Sequence, residues 1–121
     1  MHELSIAMSL VEAASEEARR HGDVRVEALH LRIGVLAGVV REALAFSFEL
    51  AAEGTPVAGA RLIIEEVPVT VACPTCQAER ALASPQEFRC PVCGTATGHV
   101  VAGRELVLTA LELEDHDSAN R

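Results

Sequence analysis

The sequence predicts an α+β fold, in which a small mixed β-sheet is flanked by two α-helices and a cysteine-bearing domain is inserted into the chain. Three observations favour this class. Two segments show helical periodicity, several others are rich in β-branched and aliphatic residues, and the four cysteines lie together in a stretch with few aliphatic side chains. A chain of 121 residues, half of them apolar, is also long enough to bury one core.

The first helix is predicted from Leu4 to His21. The apolar residues that recur at helical spacing are Leu4, Ala7, Met8, Val11, Ala14 and Ala18. Arg19, Arg20 and His21 lie in the last predicted turn, where the negative end of the helix dipole favours cations. Gly22 follows and readily adopts the left-handed conformation that ends many helices. The pattern indicates an amphipathic helix.

The segment from Val24 to Leu36 alternates in hydrophobicity, as expected of a strand. The alternation changes phase, because the apolar residues are first even-numbered and then odd-numbered. They are Val24, Val26, Ala28, Leu29, Leu31 and Ile33. Either a β-bulge lies near Ala28 or the strand is covered on both faces.

A second helix is predicted after Gly38 and before Gly54. The apolar residues on its stripe are Val40, Leu44, Phe48 and Ala51. Beyond this helix, residues 60–73 are predicted to be extended chain interrupted by Pro68, and residues 104–114 form a long β-rich run. These two runs lie on either side of the cysteines.

The charge balance argues against a general nucleic-acid binder. Eighteen acidic residues against ten basic ones give a formal charge of −8, which repels a phosphate backbone. No apolar stretch approaches the roughly 18 residues that a membrane span needs, and the amino terminus lacks the pattern of a signal peptide. We therefore expect a soluble cytoplasmic protein with no nucleic-acid or membrane partner.

Two C-x-x-C motifs contain all the cysteines. Cys73 and Cys76 form the first, in CPTC, and after thirteen residues Cys90 and Cys93 form the second, in CPVCG. Each motif turns the backbone tightly enough to direct two thiolates at one ion, and two motifs complete the tetrahedral sulfur shell that suits structural zinc. The spacing predicts an inserted zinc-ribbon-like domain with four cysteine ligands. The alternatives are disulfides, a redox pair or an iron–sulfur cluster.

The first three residues, Met1, His2 and Glu3, could form a second metal site. The Met1 amine, the His2 backbone nitrogen and the His2 imidazole can close two fused chelate rings around one ion, with Glu3 as a candidate fourth donor. Several nitrogens in a plane suit square-planar Ni(II) or Cu(II) and match zinc poorly. The alternative is that His2 is an exposed side chain with no ligand role. The histidines that share no local ligand spacing are His21, His30, His99 and His116.

Several segments together resemble the HypA/HybF family of nickel metallochaperones. They are MHELS at the start, GDVRVEALHLRIGVL, EALAFSFELAAEGT, the paired CPTC and CPVCG, and GRELVLTALEL near the end. The likeness covers nearly the whole chain, and the order, spacing and position of the motifs agree with the family. The resemblance implies a nickel-binding α+β domain of residues 1–68 plus 99–121, which carries a zinc domain of residues 69–98 as an insertion.

The resemblance also implies a function and partners. The family delivers nickel during maturation of [NiFe] hydrogenase, and in some organisms of urease. The expected partners are a nickel-binding GTPase of hydrogenase maturation and the hydrogenase large subunit, and a homodimer is left open. The family's nickel motif falls on Met1, His2 and Glu3, and its structural zinc ligands fall on the four cysteines named above.

One departure from the family pattern lies before the second helix. Many members have an acidic residue there, whereas this chain has Val39 and Val40, and Glu42 is the nearest acid. The sequence therefore indicates no side-chain nickel ligand at this position.

Two other classes of function compete with a metal carrier. A zinc-ribbon nucleic-acid-binding or regulatory module is favoured only by the two cysteine motifs, and the net charge speaks against it. An enzyme is disfavoured because the sequence shows no phosphate-binding loop, general-base cluster or nucleophile motif. We therefore expect a protein that is not an enzyme.

Overall fold

The computed structural model describes residues 3–114, so Met1, His2 and His116 lie outside the described residues. The helices and strands in chain order are α1 Glu3–Arg20, β1 Val26–Gly34, α2 Arg41–Ala52, β2 Arg61–Val67, β3 Thr70–Cys73, β4 Ala78–Ala81, β5 Val100–Ala102 and β6 Leu106–Leu113. Two small sheets are present, with strand orders β2-β1-β6 and β4-β3-β5. The predicted α+β class is confirmed. Among residues 3–114, no helix is both long enough and apolar enough to cross a membrane.

The chain divides into two compact units. Within the described residues, the helical unit comprises 3–31, 39–64 and 108–114, and the cysteine unit comprises 32–38 and 65–107. The sequence-based division into residues 1–68 plus 99–121 and an insertion of 69–98 stays a prediction. The structure adds that β1 is divided between the units after Leu31 and that the turn after β1 belongs to the cysteine unit.

Helix α1 packs against α2 in the helical unit. The buried residues that the periodicity predicted correctly are Ala7, Val11, Ala14 and Ala18. The prediction is wrong for Leu4 and Met8, which are 50% and 58% exposed, whereas Ile6 and Leu10 are buried. Viewed down the helix axis, Leu4 and Met8 lie about 60° and 100° to one side of Ala7, and Leu10 and Ile6 lie at the same angles to the other side. Helical spacing alone therefore does not show which pair is buried.

Helix α2 buries part of its predicted stripe. Leu44 and Phe48 are buried, and Ala51 is half-buried. Val40 was predicted on the same stripe but is 59% exposed, because it precedes the first turn and caps the helix in an extended conformation. The helix ends before Gly54, as predicted, and this glycine has a φ of 74°.

Strands β1 and β6 are antiparallel neighbours. Near one end of the pair the carbonyl of Arg25 accepts the N–H of Glu114 at 2.8 Å, and at the other end the N–H of Gly34 donates to the carbonyl of Glu105 at 2.8 Å. Rising numbers in one strand therefore meet falling numbers in the other, which defines an antiparallel pair.

The predicted change of phase in β1 is present, and β6 shares it. Burial stops alternating after Ala28 in β1 and after Thr109 in β6. Across the pair, His30 Nε2 lies 2.6 Å from a Glu112 carboxylate oxygen, and both side chains are partly exposed. Ala28 and Leu29 are consecutive and both fully buried, a pattern expected of a bulge and of cover on both faces alike.

The cysteine unit is built on a small antiparallel sheet. Pro68 interrupts the extended chain as predicted, and β3 pairs antiparallel with β4 and with β5, two strands that the sequence did not reveal. A close approach of two glycines fixes the turn after β1. A Cβ atom added to Gly34 would lie 2.1 Å from the carbonyl carbon of Gly103, so only glycine fits there.

Candidate metal sites

The structure brings the four cysteines of the predicted zinc site together. Their sulfur atoms all lie within 4.8 Å of one another. Cys73 Sγ is 3.5 Å from Cys93 Sγ, and Cys76 Sγ is 3.8 Å from Cys90 Sγ. A tetrahedral zinc ion with its usual bond lengths separates its sulfur ligands by about 3.8 Å. The donor set and its spacing therefore fit one tetrahedral zinc ion.

The two cysteine motifs form similar tight turns. In the first, the N–H of Gln77 donates to the carbonyl of Cys73 at 2.9 Å, and Gln77 has a φ of 53°. In the second, the N–H of Gly94 donates to the carbonyl of Cys90 at 2.9 Å, and Gly94 has a φ of 78°. Each turn thus closes on a left-handed residue directly after its second cysteine. Gly94 adopts this conformation without strain, whereas for Gln77, which has a Cβ atom, it is less favourable.

Exposure differs within the cysteine cluster. Cys73 and Cys90, the first residue of each motif, are 2% exposed, whereas Cys76 is half-buried and Cys93 is exposed. One side of the sulfur cluster is therefore shielded by the protein, and the other side is open to solvent. This arrangement gives an ion a route of entry through Cys93.

Hydrogen bonding prepares two of the thiols for metal binding. Backbone N–H groups of Cys93 and Val92 lower the pKa of Cys90 to about 6. The Thr95 hydroxyl, 3.1 Å from Cys93 Sγ, lowers the pKa of Cys93. Cys90 is therefore largely a thiolate at neutral pH, which is the form that binds metal.

The third thiol behaves in the opposite way. Arg80 acts to lower the pKa of Cys76, but the neighbouring thiol of Cys93, burial and the other two thiols outweigh it and raise that pKa to about 11. Cys76 therefore keeps its proton at neutral pH until an ion displaces it. Metal binding at this cluster releases protons for that reason.

Arg80 is a residue of the site that the sequence analysis missed. Hydrogen bonding to Cys76 and then to Cys90 raises the pKa of its guanidinium. A tetrathiolate zinc site has a net charge of −2, which a neighbouring cation partly neutralises. The available signal was its position, four residues after Cys76 at the end of the first motif.

The structure describes one residue of the predicted nickel motif. Glu3 is the first residue of α1, and its Oε2 atom accepts the N–H of Val40 at 3.0 Å. Val40 directly precedes α2, so this bond ties the start of one helix to the start of the other. Met1 and His2 lie outside the described residues, and Glu42 is exposed in the first turn of α2.

The other described histidines lie outside the sulfur cluster. His21 lies 3.2 Å from Glu17 at the end of α1, and His30 pairs with Glu112. His99 is exposed. Within residues 3–114, the four cysteines form the one group of ligand-type side chains close enough to hold an ion.

The fold and the sulfur cluster define a small α+β metal-binding protein. A family model described as "Hydrogenase/urease nickel incorporation, metallochaperone, hypA" matches residues 1–113. The chain therefore belongs to the HypA family of metallochaperones for nickel incorporation, as the resemblance of its motifs implied.

Curated relatives agree with this assignment. Hydrogenase maturation factor HypA of Chloroflexus aurantiacus is 62% identical over 112 residues, which cover 93% of this chain and 98% of the relative. The protein of the same name from a Roseiflexus species is 56% identical over 115 residues, covering 95% of this chain and 94% of the relative. The similarity thus extends over nearly the full length of both chains.

Solved structures support the fold. The solution structure of the Ni metallochaperone HypA from Helicobacter pylori is similar with a TM-score of 0.63 at 24% identity, over 93% of this chain and 97% of that one. A solution structure of a HypA protein gives a TM-score of 0.69 at 24% identity, over 94% of this chain and 97% of the other. At this identity the likeness concerns the fold alone.

Proposed function

We propose that this protein carries nickel: it binds Ni(II) at its amino terminus and delivers the ion during maturation of [NiFe] hydrogenase, and of urease in organisms that make that enzyme. The observation that carries the proposal is the family match over residues 1–113, which includes both the amino-terminal motif and the cysteines. The chain acts as a carrier and not as an enzyme.

The proposed nickel ligands are Met1, His2 and Glu3. The amine and the two His2 nitrogens supply three donors in a plane, as Ni(II) prefers. The hydrogen bond from Val40 to Glu3 supports the proposal, because it fixes the third residue of the motif at the start of α1, two residues from the amine in the chain. A partner can replace such ligands one at a time without unfolding the protein, which suits reversible transfer.

The proposed structural metal is zinc, bound by Cys73, Cys76, Cys90 and Cys93. Sulfur spacings of 3.5 and 3.8 Å support this choice, as does a donor set made only of thiolates. Nickel at the terminus and zinc at the cysteines are thereby separated by ligand chemistry. The zinc ion stabilises the cysteine unit and takes no part in transfer.

The proposed partners are the nickel-binding GTPase of hydrogenase maturation and the hydrogenase large subunit, met in the cytoplasm. The formal charge of −8 disfavours nucleic acid as a further partner. A homodimer is compatible with this role, and no membrane partner is included in the proposal.

Calorimetry of nickel binding tests the proposal. Untagged, zinc-loaded protein is compared with His2→Ala and with a chain that has one residue added before Met1. We expect one Ni(II) per native chain and loss of binding in both variants, because each removes a donor from the chelate. His21→Ala, which alters an exposed histidine at the end of α1, is the matched control and should bind like the native chain. Equal binding by all four proteins would refute the amino-terminal site.

A further inference from the structure

An open apolar groove runs between α1 and α2 in the helical unit. It has a volume of about 540 Å³, and its apolar lining includes Leu4, Met8 and Val11 from α1 and Leu50 and Ala51 from α2. Three of these side chains are large and half or more exposed: Leu4 is 50%, Met8 58% and Leu50 51% exposed. Such a concentration of exposed apolar side chains in one concave surface is typical of a binding site.

A buried hydroxyl in the groove points to a ligand. Ser15 lines the groove, is 6% exposed, and its Oγ atom has no hydrogen-bond partner among the described residues. A buried hydroxyl without a partner is unfavourable, so such groups are usually satisfied in native proteins. The Oγ atom is closed to solvent, so a polar group of an occupant would supply the missing bond once the side chains over Ser15 move aside.

The charges around the groove indicate what kind of occupant fits. Glu12 lines the groove. Two exposed acids lie near it in the chain: Glu49 directly precedes Leu50 in α2, and Glu53 directly follows the helix. These three acids form no ion pair among the described residues. The groove lining also contains one basic residue, Arg19, in the last turn of α1. An occupant with basic flanks therefore complements this surface.

A second copy of the chain fits the same surface less well. A symmetric pair would bring the two grooves together, because the two partners of a twofold contact use the same patch, and would therefore place the acids of both copies in one interface. The formal charge of −8 on each chain adds to this repulsion. The charges favour a different, basic partner.

We propose that this groove receives an amphipathic helix of a partner protein, with apolar side chains along one face and Lys or Arg on its flanks. Helices bind grooves of this kind by placing a few apolar side chains into them. The groove begins at Leu4, directly after Glu3 in the chain, so a helix docked there lies beside the last residue of the proposed nickel motif. That the partner exchanges nickel with this chain rests on the proposed function, whereas the docking itself does not.

Binding measurements with groove variants test the proposal. The probes are the purified nickel-binding GTPase and the purified hydrogenase large subunit, each titrated into the zinc-loaded chain. Met8→Glu and Leu50→Glu place a charge in the groove at exposed positions, where the fold tolerates it. We expect one probe to bind the native chain and both variants to raise its Kd at least tenfold. The matched controls are Ala45→Glu, at an exposed position of α2 outside the groove lining, and Val92→Glu, at a residue that is 67% exposed in the cysteine unit.

A second variant isolates the role of the hydroxyl. Ser15→Ala removes a buried polar group, so thermal unfolding should occur at the same or a higher temperature. The Kd for the probe should nevertheless rise several-fold, because the occupant loses its hydrogen bond. A purely structural role for Ser15 would leave the Kd unchanged.

The outcomes separate docking from nickel binding. Failure of both probes to bind the native chain, or equal binding by native, groove and control proteins, would overturn the proposal. A homodimer that Met8→Glu dissociates would overturn it in favour of a second copy. Nickel calorimetry on Met8→Glu should match the native chain. If neither protein binds nickel while the probe still distinguishes the variants, the carrier function fails and the docking surface stands.

Discussion

The helical unit and the cysteine unit are stabilised in different ways. In the helical unit, large apolar side chains such as Leu29, Leu44 and Val57 are completely buried. In the cysteine unit, two of the most deeply buried side chains are candidate metal ligands, Cys73 and Cys90. Apolar burial thus holds the first unit together, whereas the proposed zinc ion would supply much of the stability of the second.

The same contrast separates the two proposed metal sites. The proposed zinc ion would have four thiolate ligands from two turns, two of them on cysteines that are 2% exposed. The nickel motif consists of the first three residues of the chain, and Glu3 alone among them lies in a described element, α1. A metal that stabilises a fold is therefore held by a closed shell, and a metal that is delivered is held at a terminus.

Loss of zinc should produce the largest difference in stability between the two units. Cys90→Ser removes a ligand that is 2% exposed, so the cysteine unit should lose its metal and unfold while the helical unit stays folded. The zinc-binding free energy at stake is on the order of 10 kcal/mol. Metal analysis and amide hydrogen exchange measure both effects. Val92→Ser, at a residue of the same motif that is 67% exposed, should keep zinc and exchange protection.

A core substitution should act on the helical unit alone. Leu44→Ala creates a cavity at a completely buried position of α2 and should lower the free energy of unfolding by about 2–5 kcal/mol. Urea denaturation followed by the helical signal measures the change, and zinc content should stay at one ion per chain. Leu50→Ala, at a residue 51% exposed in the same helix, is the control and should change stability by less than about 1 kcal/mol. Loss of zinc in Leu44→Ala would contradict independent stabilisation of the units.

Disturbing the close approach of Gly34 and Gly103 should lower the stability of the cysteine unit by a smaller amount. Gly34→Ala would place a Cβ atom 2.1 Å from backbone atoms of Gly103, so the backbone must shift. We expect a loss of about 1–3 kcal/mol in thermal or urea denaturation of the zinc-loaded protein. Gly98→Ala provides the comparison, because a Cβ atom there meets nothing within 4 Å. Equal stability of the two variants would show that the contact is not tight.

The smallest expected effect is a change in the pH dependence of stability when the Glu105 carboxyl is removed. The N–H of Glu105 itself and that of Gly103, at 2.7 Å from Oε1, lower the pKa of the Glu105 carboxyl. A carboxyl whose pKa is lower in the folded state stabilises the fold above its unfolded pKa, here 4.5, and loses that effect as the pH falls through the folded pKa. Glu105→Gln should therefore be less stable at neutral pH, and the difference should shrink in acid. Glu87→Gln, at an exposed acid of the same unit, is the matched control for loss of one carboxylate.

The sequence predicted the parts of the fold that depend on local pattern. Periodicity located both helices, Pro68 separated β2 from β3, and the spacing of the cysteines identified the sulfur cluster before its geometry was known. These features are set by residues close together in the chain, where helix period, backbone restriction and ligand spacing act directly.

Features that depend on distant residues could not be predicted. Leu4 and Met8 form the same angles with the centre of the α1 stripe as Ile6 and Leu10 do, and only the neighbouring elements decide which pair is covered. Arg80 meets Cys90, and Glu3 meets Val40, across turns of the chain that composition does not encode. The groove proposed to bind the partner is lined by Leu4 and Met8, the pair that stays exposed.

Nickel K-edge X-ray absorption on the native chain, loaded with one zinc and one nickel ion, tests the separation of the two metals most directly. The account predicts nickel with nitrogen and oxygen neighbours in a planar arrangement and no sulfur in its first shell, while the zinc edge shows sulfur ligands alone. Sulfur bound to nickel would place the delivered metal in the cysteine cluster and contradict the account.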